Sequence, residues 1–405
     1  MTEMSPVLSR VLKADCCTGC GLCAAVSHGA IEMRLSPAGF LRPRQNRPIE
    51  SETDRLIGET CPGTRLAQEA REGDDHTLWG PLIAVRAGAS TDPALRHHAS
   101  SGGALSALLV FLLESKVVNY VVQVAASGAA PIENDLVESR CREDIYRAAG
   151  SRYAPSAPLA DIERQLSGSE RFAFVGKPCD VAAVRALSRH DPRIAEKIPV
   201  LLSFFCAGVP SLDGTSEILS RLDVAEDDVK AFRYRGDGWP GSCRATLRDD
   251  REATMSYAES WGDILSRHVQ FRCKICPDGS GGFADIVCGD AWHCDERGYP
   301  LFEERQGRSL IISRTARGEA LVQQAMAARY LDAEPLDAGE IEKMQPSQAR
   351  RKRLVLSRLV AMAVLGRTTP RFRGLRLLRA ALSAGLWPNL RSFLGMARRL
   401  LILQP

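Results

Sequence analysis

Apolar residues recur along the chain at two alternating spacings. Pro81 to Ser90 (PLIAVRAGAS) reads as a strand running into a turn. In the segment that follows, Leu105, Leu108, Leu109, Leu112 and Leu113 fall at helical spacing, opened by a Gly-containing turn. VVNYVVQVA has the β-branched density of a buried strand. RFAFVGKPCDVAAVRAL repeats the order of strand, Gly-Pro turn and helix, IPVLLSFFCAGVP is another apolar strand, and SLIISRTARGEALVQQAMAARY is strand then helix. This alternation predicts an α/β (α+β) body over residues 77–345. Its sheet is mixed and flanked by helices, with functional turns at strand C-termini. Phe232 to Ser280, richer in Gly, aromatic and Cys residues, reads as an irregular insertion or cap. Residues 1–76 form a small cysteine-bearing unit closed by a polar linker from Glu69 to His76. Residues 346–405 read as a helical basic tail, broken at Gly366, Pro370, Gly374, Gly385 and Pro388.

Composition narrows the class. With 45% apolar and 25% charged residues the chain is globular rather than disordered or fibrous. No run of about 18 uninterrupted apolar residues predicts a membrane span. The first residues lack the apolar core of a secretory signal, so the expected location is the cytoplasm. There the thirteen cysteines, odd in number and clustered, point to metal binding rather than to disulfides.

Cys17, Cys20 and Cys23 form C-x2-C-x2-C, and Cys61-Pro62 follows far downstream. Three thiolates from one tight loop plus a remote Cys-Pro is how bacterial ferredoxins hold a cubane iron–sulfur cluster, and CTGCGLCAAV resembles their cluster loop. Gly19 and Gly21 let the backbone wrap the cluster. A two-cluster ferredoxin has a further Cys-Pro where this chain has Ser27 and His28, so one cluster is expected in this unit. The alternative, a zinc knuckle, normally uses paired C-x2-C hooks.

Cys273 and Cys276 form a lone C-x-x-C. Cys179 and Cys206 each sit in a turn just after a predicted strand. Parallel strands place such turns on one sheet edge, where the four thiols can converge as a second four-thiolate site. The alternative is that Cys179 and Cys206 are buried apolar cysteines. Cys141, Cys243, Cys288 and Cys294 have no partner logic.

Ser101, Gly102 and Gly103 precede a helix, where backbone N–H groups suit an anionic phosphate; a simple helix cap is the alternative. Ser151, Arg152 and Tyr153 add a positive charge and a ring in another turn, and Gly289-Asp290-Ala291-Trp292 sets a carboxylate beside an indole. No GxGxxG is present, so an ordinary dinucleotide site is not expected.

SSGGALSALL, AGSRYAPS, VGKPCDVAAVR, FFCAGVPS, FRYRGDGWPG, CKICPDG, ADIVCGDAW and GRSLIISRTARG occur in this order. The series resembles the coenzyme F420 hydrogenase/dehydrogenase beta subunits. It is also similar to 7-hydroxymethyl chlorophyll a reductases and ferredoxin-dependent divinyl chlorophyllide reductases. The resemblance implies a flavoprotein oxidoreductase with FAD and [4Fe–4S] clusters, moving electrons between clusters and a reducible organic molecule, a deazaflavin or a tetrapyrrole. It makes Ser101, Gly102, Gly103, Ser151, Arg152, Tyr153, Gly176, Lys177, Pro178, Asp290 and Trp292 candidates for the FAD pocket. It makes Cys179, Cys206, Cys273 and Cys276 ligands of a second cluster, beside Cys17, Cys20, Cys23 and Cys61. Expected partners are ferredoxin or another electron-transfer protein and a small organic redox substrate, with a homo-oligomer open and no nucleic acid. Asp290 and Arg235 are the charged catalytic candidates, each with a structural ion pair as the alternative. The rival reading is a non-catalytic electron-transfer component of a larger complex.

Charge singles out the tail. From Gln345 onward there are thirteen Arg and Lys and no Asp or Glu; with a total of +4, residues 1–344 carry −9. Basic residues interleaved with Leu and Trp suit an anionic membrane surface at the inner face of the membrane, or an acidic protein partner. The alternative is that the tail folds back onto the acidic body or a neighbouring protomer and completes the core.

Overall fold

The computed structural model describes residues 4–69, 73–295, 301 and 303–402. Eight strands form one mixed sheet: β1 (Ala84–Ser90), β2 (Tyr120–Ala126), β3 (Asn134–Ser139), β4 (Phe172–Gly176), β5 (Leu201–Phe204), β6 (Ile286–Asp290), β7 (Ser309–Ser313) and β8 (Leu331–Pro335). Their order across the sheet is β8-β1-β7-β6-β5-β4-β2-β3. The central run β6-β5-β4-β2 is parallel, and antiparallel strands extend it at both sides.

Side-chain alternation explains why the central strands are apolar without a break. Phe172 and Phe174 of β4 face one hydrophobic cluster, while Ala173 and Val175 face the other. A strand buried on both faces has no polar side to show. Helix α1 (Ala104–Glu114) and helix α3 (Ala316–Ala327) cover one face, and α2 (Pro178–Leu187) covers the other. Helix α1 is buried along most of its length, which is why it is apolar nearly all round.

The expected irregular cap contains an antiparallel three-stranded sheet, Val229–Arg233, Cys243–Leu247 and Glu252–Met255, and the helical segment Ala258–Leu265. It has its own core around Phe232, Tyr234 and Ile264.

The boundary at residue 76 marks a change of sequence character, not a gap in packing. Cys20, Leu22 and Ala25 lie in the same hydrophobic cluster as Leu159 and Val181 of the body. Residues 70–72 of the expected linker lie outside the described residues, and Asp74–His76 pairs with Gly80–Leu82 as a short hairpin.

The tail begins with a long helix, α4 (Pro346–Val364), followed by α5 (Leu377–Ser383) and α6 (Leu386–Ile402). Between them Arg371–Arg373 pairs parallel with Arg65–Ala67 of the N-terminal unit. Ala361, Met362, Met396 and Leu400 share a core with Val7, Val11, Cys17 and Ile275. Pro388, expected to interrupt the tail, instead lies in the first turn of α6, where its missing N–H costs no hydrogen bond.

Candidate functional site

Because β4, β5 and β6 are parallel, the turns that follow them leave the same edge of the sheet. A cleft with about 230 Å³ of water-accessible volume opens there. This is the crevice beyond strand C-termini where open α/β sheets hold ligands. Ser101, Gly103, Ser151, Arg152, Tyr153, Gly176, Lys177 and Asp290 all line it, as do Cys206 and Arg235.

Three expected pocket residues stand behind the lining. A Cβ on Gly102 would come within 2.7 Å of Gly88 O and of Ser309 N, so its glycine lets the Ser-Ser-Gly-Gly turn lie directly on the sheet. Pro178 occupies the first turn of α2. Trp292 stacks on Trp239 at 4.7 Å, nearly parallel, beneath the Arg235 guanidinium. Gly102→Ala is expected to cost about 1–3 kcal/mol, because the added methyl meets backbone that cannot swing aside. A urea unfolding curve measures this, and an unchanged midpoint would contradict the close approach.

Arg152 is committed to protein oxygens. Its guanidinium donates to Asn134 Oδ1 at 2.8 Å and to the carbonyls of Pro131, Glu133 and Phe232, and it lies over the Tyr234 ring. This fork ties the turn to the cap sheet. Lys177 is buried and reaches Asp180 Oδ2 at 2.8 Å and Ser156 Oγ at 2.9 Å. Burial opposes its charge, but Asp180 and the thiols of Cys179 and Cys206 outweigh that and raise its pKa. A buried ion pair therefore stands at the cleft wall, since Asp180 lines the cleft as well.

Arg235 and Asp290 form a bidentate pair at 2.8 and 2.7 Å. Trp239 Nε1 donates to the same carboxylate at 2.8 Å, and Arg235 Nε donates to Pro240 O. Burial disfavours the guanidinium charge, yet Asp290 holds the Arg235 pKa above its ordinary value. Two charges already satisfied by one another are the ion-pair alternative that the sequence left open.

Electrostatics couples thiols within each of the two expected sets. Cys17, Cys20, Cys23 and Cys61 act on each other's ionisation, and so do Cys179, Cys206 and Cys273. Cys276 joins the second set through its effect on Cys206 and Cys273. Burial is the main force pushing Cys17, Cys20, Cys23, Cys61, Cys179, Cys206 and Cys273 up, Cys20 to about 11 and Cys206 to about 12. Among the described residues no three His, Cys, Asp or Glu side chains converge as they would on a single ion.

Both sets fit an iron–sulfur cluster chemically. Buried thiols that repel each other's negative charge need a multivalent cation to be thiolates at neutral pH. Gly19 and Gly21 have φ of +78° and +88°, and Gly19 N donates to Cys17 Sγ and Gly63 N to Cys61 Sγ. Arg272 is buried beside Cys61-Pro62, donating to Pro62 O at 3.0 Å, and its Nε and one terminal nitrogen find no partner among the described residues. An orphaned buried cation between the two cysteine loops suits an anionic group nearby.

Two features carried no sequence signal. Gln270 Nε2 reaches both Thr18 O and Cys273 Sγ, and its Oε1 accepts from Arg42, so one amide bridges the two cysteine loops. Helix α4 clamps the second set from outside. Gln348 and Arg351 donate to Cys206 O, Lys352 Nζ to Pro277 O at 2.8 Å, and Arg358 to Lys274 O. Part of the tail's basic excess thus hydrogen-bonds carbonyls of the cysteine loops and belongs to the fold.

Two family models, both described as coenzyme F420 hydrogenase/dehydrogenase beta subunit, match most of the body. The N-terminal one matches residues 85–162 and the C-terminal one residues 169–339. The chain belongs to this family. The coenzyme F420 hydrogenase subunit beta of Methanothermobacter thermautotrophicus is 23% identical over 293 residues, 69% of this chain and 95% of that protein. Its counterpart of the same description in Methanococcus voltae is 26% identical over 261 residues, 61% of this chain and 82% of that protein. The coenzyme F420-dependent sulfite reductase of Methanocaldococcus jannaschii is 25% identical over 264 residues, but these are only 38% of that protein. A chain of the F420-reducing [NiFe] hydrogenase complex from Methanosarcina barkeri superposes with a TM-score of 0.51 at 21% identity, covering 70% of this chain and 96% of that one, and so shares the fold. These relatives of the F420 hydrogenase/dehydrogenase beta subunit family are oxidoreductase components, and this chain is a redox protein of that kind.

Proposed function

We propose that the chain is an iron–sulfur flavoprotein oxidoreductase that passes electrons between [4Fe–4S] clusters, an FAD in the cleft and a small organic redox substrate such as a deazaflavin or a tetrapyrrole. The observation that carries this reading is the position of Cys206. It lines the cleft and belongs to the second thiol set, so a group held by those thiols borders whatever the cleft binds.

In this reading Cys17, Cys20, Cys23 and Cys61 hold the outer cluster, and Cys179, Cys206, Cys273 and Cys276 hold the inner one. When bound, the clusters supply single electrons and the flavin converts them to two-electron chemistry. The chain's own residues bind and orient. The Ser100–Gly103 turn at the start of α1 offers backbone N–H groups to a phosphate, while its two hydroxyls donate to Arg235 O and to the Gly289 and Arg308 carbonyls. The Lys177–Asp180 and Arg235–Asp290 pairs stiffen the walls of the cleft. A ferredoxin-type protein would deliver electrons at the N-terminal unit.

Anaerobic purification followed by iron, sulfide and flavin analysis tests this. About eight iron per chain with stoichiometric FAD is expected, since each cubane holds four. About four iron with full flavin would remove the inner cluster, and a colourless protein would remove the whole reading.

A second reading is favoured by the names of the relatives, several of which are subunits. The chain would then carry electrons inside a larger complex without a substrate of its own. Turnover of a deazaflavin or dye by the isolated protein separates the two.

A further inference from the structure

Of the large hydrophobic residues exposed among the described residues, ten of twelve lie in the last three helices. Helix α6 accounts for six of them: Leu386, Trp387, Leu390, Leu394, Leu401 and Ile402. Their spacing is decisive. Leu386, Leu390 and Leu394 follow one another at i, i+4 and i+8, and Leu401 and Trp387 fall within the same arc of the helix. Leu386 is 85% exposed and Trp387 71%. Met396 and Leu400, which seat the helix on the N-terminal unit, are buried on a different arc. Helix α6 thus has two apolar sides, one facing the protein and one facing out. On the preceding helix, Leu378 and Leu382 are exposed one turn apart.

The charged neighbours have one sign. Arg391 and Arg398 border the outward stripe, Arg379 is exposed on α5, and no Asp or Glu occurs anywhere from Gln345 to Pro405. We propose that the outward face of α6, with Leu378 and Leu382, docks on an anionic lipid bilayer, lying in the headgroup plane.

The occupant follows from the chemistry of the face. A Leu and Trp stripe bordered by arginine and free of carboxylates is what an interfacial helix presents to an anionic surface. No described helix is long and apolar enough to cross a membrane, so α6 lies on the bilayer rather than through it. A second copy of the chain fits worse. An isologous contact through this face would bring the arginines of one copy, Arg391 and Arg398, up to those of the other, with no tail carboxylate to compensate. The face also lies outside residues 85–162 and 169–339, which the two family models match.

The roles within the tail separate cleanly. Helix α4 is spent on the cysteine loops, so deleting the whole tail would damage the fold. The test therefore uses the full chain with exposed positions changed. Vesicles of phosphatidylcholine alone, or mixed with phosphatidylglycerol, are floated with the protein in low and high salt. Binding is expected only to the anionic vesicles and is expected to weaken as salt screens the charge. The variants Arg391→Gln and Arg398→Gln should each lower the partition coefficient roughly fivefold. Leu390→Ser with Leu394→Ser should abolish retention, with iron and flavin content unchanged in every variant. The proposal falls if the protein ignores anionic vesicles in low salt, or if these variants bind as well as the parent. It also falls if they instead dissolve a dimer seen by light scattering, or if the parent binds only an acidic protein.

Discussion

Cys276→Ala is expected to cut the iron content of the anaerobically purified protein by half, from about eight to about four per chain. It should also loosen the flavin. Cys276 acts electrostatically on Cys206 and Cys273, and Cys206 lines the cleft. Losing one of four thiolates opens the cluster, and the remaining buried thiols then take up protons, as their raised pKa values dictate. The Cys206 turn is also gripped by Gln348 and Arg351, so a rearranged loop will shift the cleft wall. Cys20→Ala should halve the iron as well but spare the flavin, because Cys17, Cys20, Cys23 and Cys61 are absent from the cleft lining. EPR of the reduced variants should show one signal lost in each, and a different one. If Cys276→Ala leaves iron and EPR unchanged, the C-x-x-C is not a ligand pair.

The chain reports its buried elements clearly and its edges poorly. Strands β2, β4, β5 and β7 are legible because both faces are covered, which forces continuous apolar runs. Edge strands β3 (NDLVES) and β8 (LDAEP) are half polar, and their strand state comes from pairing with β2 and β1 rather than from their own composition. The cysteine motifs are legible because cluster ligation needs particular residues at particular spacings. What the arginines do is not. Arg152, Arg351 and Arg358 all donate to main-chain carbonyls, and a carbonyl leaves no mark in a sequence. Gln270 sits in no motif at all, yet it joins the two cysteine loops.

The tail shows the same limit from the other side. Its charge excess is visible without any structure, but one number conceals two uses. Arg351, Lys352 and Arg358 turn inward to the loops of the second thiol set, whereas Arg391 and Arg398 stay exposed. Helical periodicity alone does not separate them, because α6 carries apolar residues on both of its sides.

Asp290→Ala is expected to be among the most destabilising single changes at the cleft, at about 3–5 kcal/mol. The carboxylate accepts from both terminal nitrogens of Arg235 and from Trp239 Nε1. The Arg235 side chain is only 2% exposed, so water cannot replace what is lost. Removing one charge leaves the other desolvated and unpaired, which costs far more than a surface pair is worth. The guanidinium also lies over the rings of Tyr257 and Trp292, so its withdrawal would disturb the stack of Trp292 on Trp239. Asp290→Asn keeps an acceptor for Trp239 and should lose less. The double variant Arg235→Met with Asp290→Leu removes both charges and should recover part of the stability lost in Asp290→Ala, which is the signature of a pair acting on the fold. Urea unfolding of all four proteins, read beside flavin content, checks this order. If Asp290→Ala unfolds at the parent's urea concentration and loses only turnover, the pair belongs to the reaction and not to the wall of the cleft.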